Sequence, residues 1–197
     1  MNPAVHLVVF VNPPRIGRAK TRLAGDIGAV AAWSFYRRML ETILPPLVRD
    51  RRWRCWLAVT PAYGFAGIRL GGDVGLVAQG PGDLGRRMAR VVRVLPPGPV
   101  VIVGADAPDL APRHVADAFR ALGRADAVFG PAVDGGYWLV GLRRRPRRLD
   151  PFRNVRWSTR HALTDTLRNL DGHSHALLET LADVDDGAAY AQWRKKR

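Results

Sequence analysis

The chain has 197 residues, of which 47% are hydrophobic and 24% are charged, a composition typical of a globular protein with a sizeable core. We therefore expect a single domain spanning residues 1–197. Cys55 is the only cysteine in the sequence, which excludes an intramolecular disulfide and favours the reducing cytoplasm. The first apolar run, residues 5–11, is too short to span a bilayer and follows no basic segment, so it predicts a strand rather than a secretory signal.

The excess of positive charge is large, since 31 lysines and arginines stand against 17 aspartates and glutamates, giving a formal net charge of +14. A field of this sign attracts polyanions, so nucleic-acid binding is one hypothesis for function. The densest cluster of positive charge is the arginine run, residues 143–148, which fits either a solvent-exposed loop or a polyanion-binding site. Because many other arginines fall in segments typical of helix faces, we do not expect nucleic acid to be the main partner.

A basic loop, residues 12–22, follows the first strand. It contains two prolines and Gly17, which forbid regular structure, and it carries four cations, namely Arg15, Arg18, Lys20 and Arg22. A glycine-containing cationic loop at the carboxyl end of a strand offers backbone N–H groups and positive charge to a phosphate. The alternative is a solvated loop, since the sequence has neither the Walker A pattern nor the dinucleotide-binding glycine pattern.

Strands and helices then alternate along the chain. Apolar spacing predicts a helix over residues 26–48, ended by Pro45 and Pro46, and a later helix with Ser158 as its N-cap that runs to residue 170. The remaining segments are predicted as strands at residues 53–60, 74–78, 100–103, 127–129 and 136–142, a loop with one helical turn at 61–72, helices at 86–94 and 115–122, and a short C-terminal helix. This alternation predicts an α/β protein with a mostly parallel sheet, in which residues 136–142 run antiparallel.

Asp106 comes directly after the most continuous apolar strand, residues 100–103. Such a run is typical of a strand buried on both faces, and ligands bind at the carboxyl ends of strands in an open α/β sheet. A carboxylate held there suits a hard cation such as Mg2+, which proteins often hold with one or two carboxylates and substrate phosphates. A helix-capping or turn role for Asp106 is the alternative.

A second carboxylate, Asp134, precedes Gly135 and Gly136 at the turn before the antiparallel strand. The two glycines let the backbone approach a ligand closely, so Asp134 would orient an acceptor hydroxyl or act as its general base. Tyr137 and Trp138 point to opposite faces of the following strand, so at most one of them lines a pocket. The alternative is a hairpin turn, for which Asp-Gly is a strong signal.

Two late clusters complete the candidate site residues. His173 and His175 flank Ser174, but no other histidine or cysteine lies near them in the sequence, so we do not expect a metal site there. Residues 183–186 contain three carboxylates, which would either cap the C-terminal helix or supply one ligand to a metal.

Several of these motifs, in this order, resemble a bacterial family with the GT-A nucleotide-diphospho-sugar transferase fold, whose members are called glycosyltransferases or left uncharacterised. The resemblance covers most of the chain and is carried by residues 20–23, 79–88, 104–110, 130–137, 157–159 and 183–185. Residues 20–23 (Lys-Thr-Arg-Leu) are also similar to a loop of phospholactate guanylyltransferases, more distant relatives with the same fold. Asn12 departs from the family pattern, in which a lysine often stands at this position.

The resemblance implies a three-layer α/β/α architecture with a nucleotide site over the carboxyl ends of the first strands. Asp106, joined by Asp185, would hold Mg2+ or Mn2+, and Lys20 and Asp134 would act in catalysis. The nucleotide would contact Asn12, Gly17, Lys20, Arg22, Gln79, Gly82 and Asp83. The site of the second substrate would be lined by Gly135, Gly136 and Tyr137.

We therefore expect a metal-dependent transferase that uses a nucleotide or nucleotide-sugar donor and a small-molecule acceptor. Lys20 and Arg22 favour nucleotidyl transfer, because a triphosphate carries more charge to neutralise, whereas the family's usual name favours glycosyl transfer. The sequence offers no Ser-His-Asp or Cys-His constellation for covalent catalysis. Two alternatives stay open: a polyanion- or nucleic-acid-binding protein that uses the arginine run, and a nucleotide-binding protein without catalytic activity.

Overall fold

Strands and helices alternate through the computed structural model, which describes residues 5–60, 70–145 and 149–195. The strands are β1 (His6–Val11), β2 (Arg54–Val59), β3 (Gly75–Ala78), β4 (Val100–Gly104), β5 (Ala127–Pro131), β6 (Tyr137–Leu142) and β7 (His175–Leu177). The helices are α1 (Thr21–Ile27), α2 (Ala29–Arg49), α3 (Leu84–Val94), α4 (Pro112–Leu122), α5 (Ala162–Arg168) and α6 (Gly187–Lys195).

The seven strands form one sheet in the order β3-β2-β1-β4-β6-β5-β7. β1 pairs in parallel with β2 and β4, and β5 pairs in parallel with β7. β6 runs antiparallel to both β4 and β5, so the predicted antiparallel strand is confirmed. The carboxyl ends of β1 and β4 therefore lie side by side, which brings the basic loop next to the segment that follows β4.

Each face of the sheet carries its own core. Alternate residues of β1 point to opposite faces, with Leu7 and Val9 packed in one core and Val8 in the other. Helices α2 and α4 cover the first core, and α3 and α5 contribute to the second. This covering on both faces explains why the strands are continuous apolar runs, and it confirms the predicted three-layer architecture.

The predicted helix over residues 26–48 ends within one residue of the observed helix, but its start is wrong and the two prolines do not end it. A separate helix, α1, begins earlier, at Thr21, and the chain breaks at Gly28, whose φ of +89° favours glycine. α2 then runs through Pro45 and Pro46 to Arg49. Each proline costs a backbone hydrogen bond, but burial of α2 residues on both sides of the pair, such as Leu44 and Leu47, keeps this last turn helical.

The start of the later helix was also predicted wrongly. Ser158 has a φ of +58° and is not the N-cap of α5, which begins at Ala162 after His161. Thr159 instead organises this segment, because its Oγ1 donates to the carbonyl of Arg156 at 2.7 Å and accepts from the N–H of His161 at 3.2 Å. Such side-chain bonds to nearby backbone compete with helix formation.

Two predictions fall partly outside the described residues, namely the loop over 61–69 and the end of the arginine run at 146–148. None of the helices within residues 5–60, 70–145 and 149–195 is long and apolar enough to cross a membrane.

Candidate functional site

The site lies where β1 and β4 end side by side. The last bond of their ladder runs from the N–H of Ala105 to the carbonyl of Phe10, at 3.2 Å. Beyond it, β1 opens into the basic loop and β4 delivers Asp106. This edge of the sheet is where open α/β proteins bind ligands.

Lys20 is the central cation of the site. Its Nζ lies 2.6 Å from Oδ1 of Asp106 and 2.7 Å from Oδ1 of Asp185. The lysine side chain is only 5% exposed, whereas the two carboxylates are 50% and 38% exposed. Burial alone lowers the pKa of this ammonium, but the charges and hydrogen bonds of Asp106 and Asp185 outweigh it and raise the pKa above its ordinary value. Lys20 is therefore a buried, charged group with two acidic partners.

Lys20 reaches this position through an uncommon backbone conformation. It sits at the N-cap of α1 with φ 52° and ψ 50°, in the left-handed region. Such a conformation costs free energy in a residue other than glycine, and surrounding contacts must hold it. The two ion pairs are contacts of this kind, so the strain is located at the functional group itself.

Asp185 lies near the C-terminal end of the described chain, in the segment between β7 and α6. The segment after β7 runs beside β5, with a bridge between Leu181 and Ala132, and the N–H of Val184 then donates to the carbonyl of Asp106 at 3.2 Å. Asp185 also accepts a hydrogen bond from Nη2 of Arg22 at 2.9 Å. The structure therefore brings together Lys20, Arg22, Asp106 and Asp185, all of which were predicted site residues.

Asp183 is a site residue that the sequence analysis did not single out. Its burial, together with the negative charges of Asp106, Asp185 and Asp134, raises its pKa to about 7, although Lys20 acts in the opposite direction. The signal in the sequence is the acidic cluster at residues 183–186, which does not by itself say which carboxylate has the raised pKa.

A cavity of about 290 Å³ adjoins these carboxylates. Its walls come from the start of α1, the β4–α4 and β5–β6 connections, the segment before α6, and α6 itself. They consist of Arg22, Asp109, Val133, Asp134, Ala182, Asp183, Val184, Asp185, Asp186, Ala189, Gln192 and Trp193. This cavity has room for a small substrate next to Asp134 and Asp183.

The oxygen donors at the site suit a hard divalent cation. Mg2+ is typically held by one or two carboxylates, with water and substrate phosphates completing its shell, and Asp106 and Asp185 offer such oxygens. Across the described parts of the chain, no three His, Cys, Asp or Glu side chains gather closely enough to hold a metal by themselves.

The Asp134 turn has a structural role as well as a place in the cavity. Oδ1 of Asp134 accepts the N–H of Gly136 at 2.9 Å. Gly135 has a φ of +85°, and a Cβ there would collide with the backbone of Arg160, while its carbonyl accepts from Leu163. Close packing against the chain itself therefore explains Gly135 without any ligand.

Tyr137 and Trp138 lie on opposite faces of the sheet, as predicted. The Tyr137 ring packs edge-on against Phe129 and Trp157, on the α5 side. It is not among the residues that line the cavity, so the structure does not bring it to the carboxylates. Trp138 packs in the other core and donates through Nε1 to the carbonyl of Glu179 at 3.2 Å.

The residues predicted to face the base lie at the end of β3 and the start of α3. Gln79 is buried and its Nε2 donates to the carbonyl of Ala58 at 2.8 Å. Gly82 has a φ of +106°, and Asp83 is the N-cap of α3, accepting the N–H of Arg86 at 2.8 Å. They occupy the same edge of the sheet as the site, but the contacts they make are structural.

The remaining basic-loop residues follow the end of β1. Asn12 has an exposed side chain and is held through its backbone by the hydroxyl of Tyr36. Gly17, also exposed, takes a φ of +73° in the turn between Arg15 and Ala19. Both lie on the chain segment that ends at Lys20.

The first two residues of the arginine run bind backbone carbonyls at helix ends. Arg143 donates to the carbonyls of Leu122 and Gly123, at the end of α4. Arg144 donates to the carbonyls of Leu95, Pro96 and Gly98, after α3. These contacts stabilise helix C-termini and give this part of the run a structural explanation.

Comparison with known proteins extends this description. Residues 43–159 match the model of a family described as "Uncharacterized protein conserved in bacteria (DUF2064)". No curated protein matches the chain significantly.

Among solved structures, a protein of Desulfovibrio desulfuricans G20 to which a nucleotide-diphospho-sugar transferase function is ascribed is 27% identical, with a TM-score of 0.85 over 98% of this chain and 94% of that one. The 4-diphosphocytidyl-2C-methyl-D-erythritol synthase of Anaerococcus prevotii DSM 20548 is 10% identical, with a TM-score of 0.62 over 99% of both chains. The manganese complex of Rv0371c from Mycobacterium tuberculosis H37Rv is 17% identical, with a TM-score of 0.53 over 98% of both chains. The chain thus has the nucleotide-diphospho-sugar transferase fold, as the sequence predicted.

Proposed function

The chain belongs to the bacterial family DUF2064, and we propose that it is a metal-dependent transferase that uses a nucleotide or nucleotide-sugar donor and a small-molecule acceptor. The observation that carries this proposal is the pairing of buried Lys20 with Asp106 and Asp185 at the carboxyl ends of the central strands, beside an open cavity.

The charges around Lys20 support a donor that contains phosphates. The aspartates at positions 106, 134 and 185 act electrostatically on Asp183, and the cations at the site are buried Lys20 and exposed Arg22, so the site carries an excess of negative charge. A divalent cation removes that excess, and it suits carboxylates and phosphate oxygens alike. The Mn2+ complex of Rv0371c is a precedent within the fold for such an ion.

In this proposal Asp106 and Asp185 would hold Mg2+ or Mn2+, which would supply positive charge to neutralise the donor phosphates. An ammonium group has three donors, of which Asp106 and Asp185 take two, so Lys20 has a third to offer a phosphate oxygen. Arg22 and the backbone around Gly17 would bind the outer phosphates. Binding of the base by residues 79–83 also belongs to this proposal.

Asp134 would orient the acceptor and take its proton. In the transfer step the acceptor oxygen forms a bond to the donor's phosphorus or anomeric carbon, the bond to the leaving phosphate breaks, and the hydroxyl proton passes to Asp134. Gly135 and Gly136 do not line the cavity but form the turn that holds Asp134 in its wall. Tyr137 would contribute through the packing of β6 against α5.

The leaving group separates the two forms of the reaction. Nucleotidyl transfer from a nucleoside triphosphate releases pyrophosphate, whereas glycosyl transfer from a nucleotide sugar releases a nucleoside diphosphate. Detection of either product with the purified protein, Mn2+ and a panel of acceptors would assign the chemistry.

A thermal-shift screen tests the donor class first. Nucleoside triphosphates and nucleotide sugars are each added with and without Mg2+ or Mn2+. A donor present at a hundred times its Kd stabilises the folded state by about 2.7 kcal/mol, which corresponds to a Tm increase of roughly 5–10 °C for a domain of this size. A shift that requires both nucleotide and metal supports the proposal, and the absence of any such shift contradicts it. Binding without turnover of any acceptor would instead indicate a nucleotide-binding protein without catalytic activity.

A further inference from the structure

The basic loop begins with a segment that cannot form the hydrogen bonds of a strand in the sheet. Pro13 and Pro14 have no backbone N–H, so the parallel ladder of β1 cannot continue into them. The carbonyls of this segment still accept hydrogen bonds, and backbone groups left without partners near a core cost free energy.

Two aromatic side chains of α2 supply those hydrogen bonds. The hydroxyl of Tyr36 donates to the carbonyl of Asn12 at 3.1 Å and accepts from the N–H of Asn12 at 3.3 Å. Nε1 of Trp33 donates to the carbonyl of Pro14 at 2.9 Å. Trp33 and Tyr36 are three residues apart in α2 and therefore lie on the same face of the helix.

The rest of the loop continues from this anchor to the site. The N–H groups of Arg18 and Ala19 both donate to the carbonyl of Arg15, which closes a turn around Gly17. The next residue is Lys20, whose ion pairs hold the far end of the loop. The loop is thus fixed by α2 at its start and by Asp106 and Asp185 at its end.

We propose that Trp33 and Tyr36 are positioning residues that set the course of the basic loop and thereby place Lys20 at the carboxylates. Tyr36 is suited to this role because it is only 3% exposed and its ring packs in the core. The part of the proposal that concerns phosphate binding rests on the proposed function. The part that concerns the loop itself does not.

Tyr36→Phe and Trp33→Phe test the proposal, because each keeps an aromatic ring and removes the hydrogen-bonding group. The matched control is Trp53→Phe, which removes an equivalent indole bond, to the carbonyl of Leu47 at 2.8 Å, near the other end of α2. The first readout is limited trypsin cleavage, followed by mass spectrometry, after Arg15, Arg18, Lys20 and Arg22. Trp33→Phe loses one hydrogen bond to the loop and Tyr36→Phe loses two, which raises the open population of the loop, so cleavage at these sites should be about 2- to 10-fold faster in the two loop variants.

The control separates loop opening from a general loss of stability. Trypsin should cleave the basic loop of Trp53→Phe at the same rate as that of wild type, even if the Tm of this variant is lower. If the loop sites of Tyr36→Phe and Trp33→Phe are cleaved no faster than those of wild type, or if all tryptic sites accelerate together, the proposal is overturned.

The second readout is the affinity for inorganic tripolyphosphate with Mn2+, measured by calorimetry. The two loop variants should bind this probe about 2- to 10-fold more weakly than wild type and Trp53→Phe. If wild type itself does not bind tripolyphosphate, phosphate binding at the loop fails while the trypsin result still decides the positioning role. If wild type binds it and the loop variants bind equally well, the positioning role in phosphate binding fails.

Discussion

Lys20 and Asp185 are separated by 165 residues in the sequence, yet Nζ of the lysine lies 2.7 Å from Oδ1 of the aspartate. Arg22 binds the other oxygen of the same carboxylate. A second hydrogen bond joins the same two parts of the chain: Asp26 of α1 accepts the N–H of Gly187 at 2.7 Å. The site is therefore assembled only when the segment before α6 has folded back onto the basic loop and α1.

Lys20→Met should destabilise the protein and weaken donor binding. The methionine keeps the apolar stem but leaves Asp106 and Asp185 without their shared cation. Because water screens these half-exposed carboxylates, we expect a loss of about 1–3 kcal/mol in the free energy of unfolding, less than for a fully buried pair. Donor binding should weaken by roughly 1.5–3 kcal/mol, the scale of a charge-assisted hydrogen bond, and Arg22→Ala should weaken it similarly. Urea unfolding and calorimetry measure the two effects.

The control for Lys20→Met is Lys195→Met, at an exposed position near the end of α6. It changes the net charge equally but should leave stability and donor affinity unchanged. Equal stability and affinity of Lys20→Met and wild type would show that the ion pairs contribute nothing measurable.

Asp106→Ala should abolish metal-dependent nucleotide binding while unfolding stays cooperative. The backbone carbonyl of Asp106, which accepts the N–H of Val184, is unaffected by the substitution, and Asp185 still pairs with Lys20. The measurement is titration of nucleotide with and without Mn2+. Asp117→Ala, which removes an exposed carboxylate of α4, is the control and should bind as wild type does. Unchanged metal dependence in Asp106→Ala would exclude it as a ligand.

The sheet was predictable because its strands are buried on both faces. Continuous apolar runs such as residues 100–103 identify parallel strands without any pairing information, and the antiparallel β6 followed from the tight Asp134 turn before it. The same logic located Asp106 correctly at the end of β4. The local hydrophobic pattern is enough to predict a strand wherever the whole segment is buried.

The contacts within the site were not predictable from local pattern. Nothing near Lys20 in the sequence indicates that its ammonium lies between two carboxylates from distant segments, or that α1 begins directly after it. Pro45 and Pro46 tend to end a helix, but tertiary packing keeps them within α2. The Asp-Gly-Gly pattern predicts close approach of a ligand at Gly135, whereas the near neighbour of this glycine is the backbone of Arg160.

The contribution of Asp183 to the stability of the metal-free protein should fall as the pH rises from about 4 to about 7. Asp183 has a pKa of about 7 in the folded state against an ordinary value of 3.8, so the folded state binds this proton more tightly. The resulting stabilisation is complete below pH 3.8 and is lost as the pH passes 7. Urea unfolding in the presence of a chelator, at several pH values, should show that the free energy of unfolding of wild type falls relative to that of Asp183→Asn as the pH rises over this range. Parallel profiles for the two proteins would mean that Asp183 titrates normally.

Asp134→Asn should lower kcat by roughly 10²-fold or more and leave donor affinity within a few-fold of wild type, since the amide cannot accept the acceptor's proton. The asparagine oxygen still accepts the N–H of Gly136, so the turn is retained. Asp134→Ala, which loses both the base and that hydrogen bond, should lower kcat at least as much and also lower the Tm. Steady-state kinetics with the donor and acceptor found by the screen, combined with donor titration, separate the two effects. Wild-type turnover in Asp134→Asn would assign this residue to the turn alone.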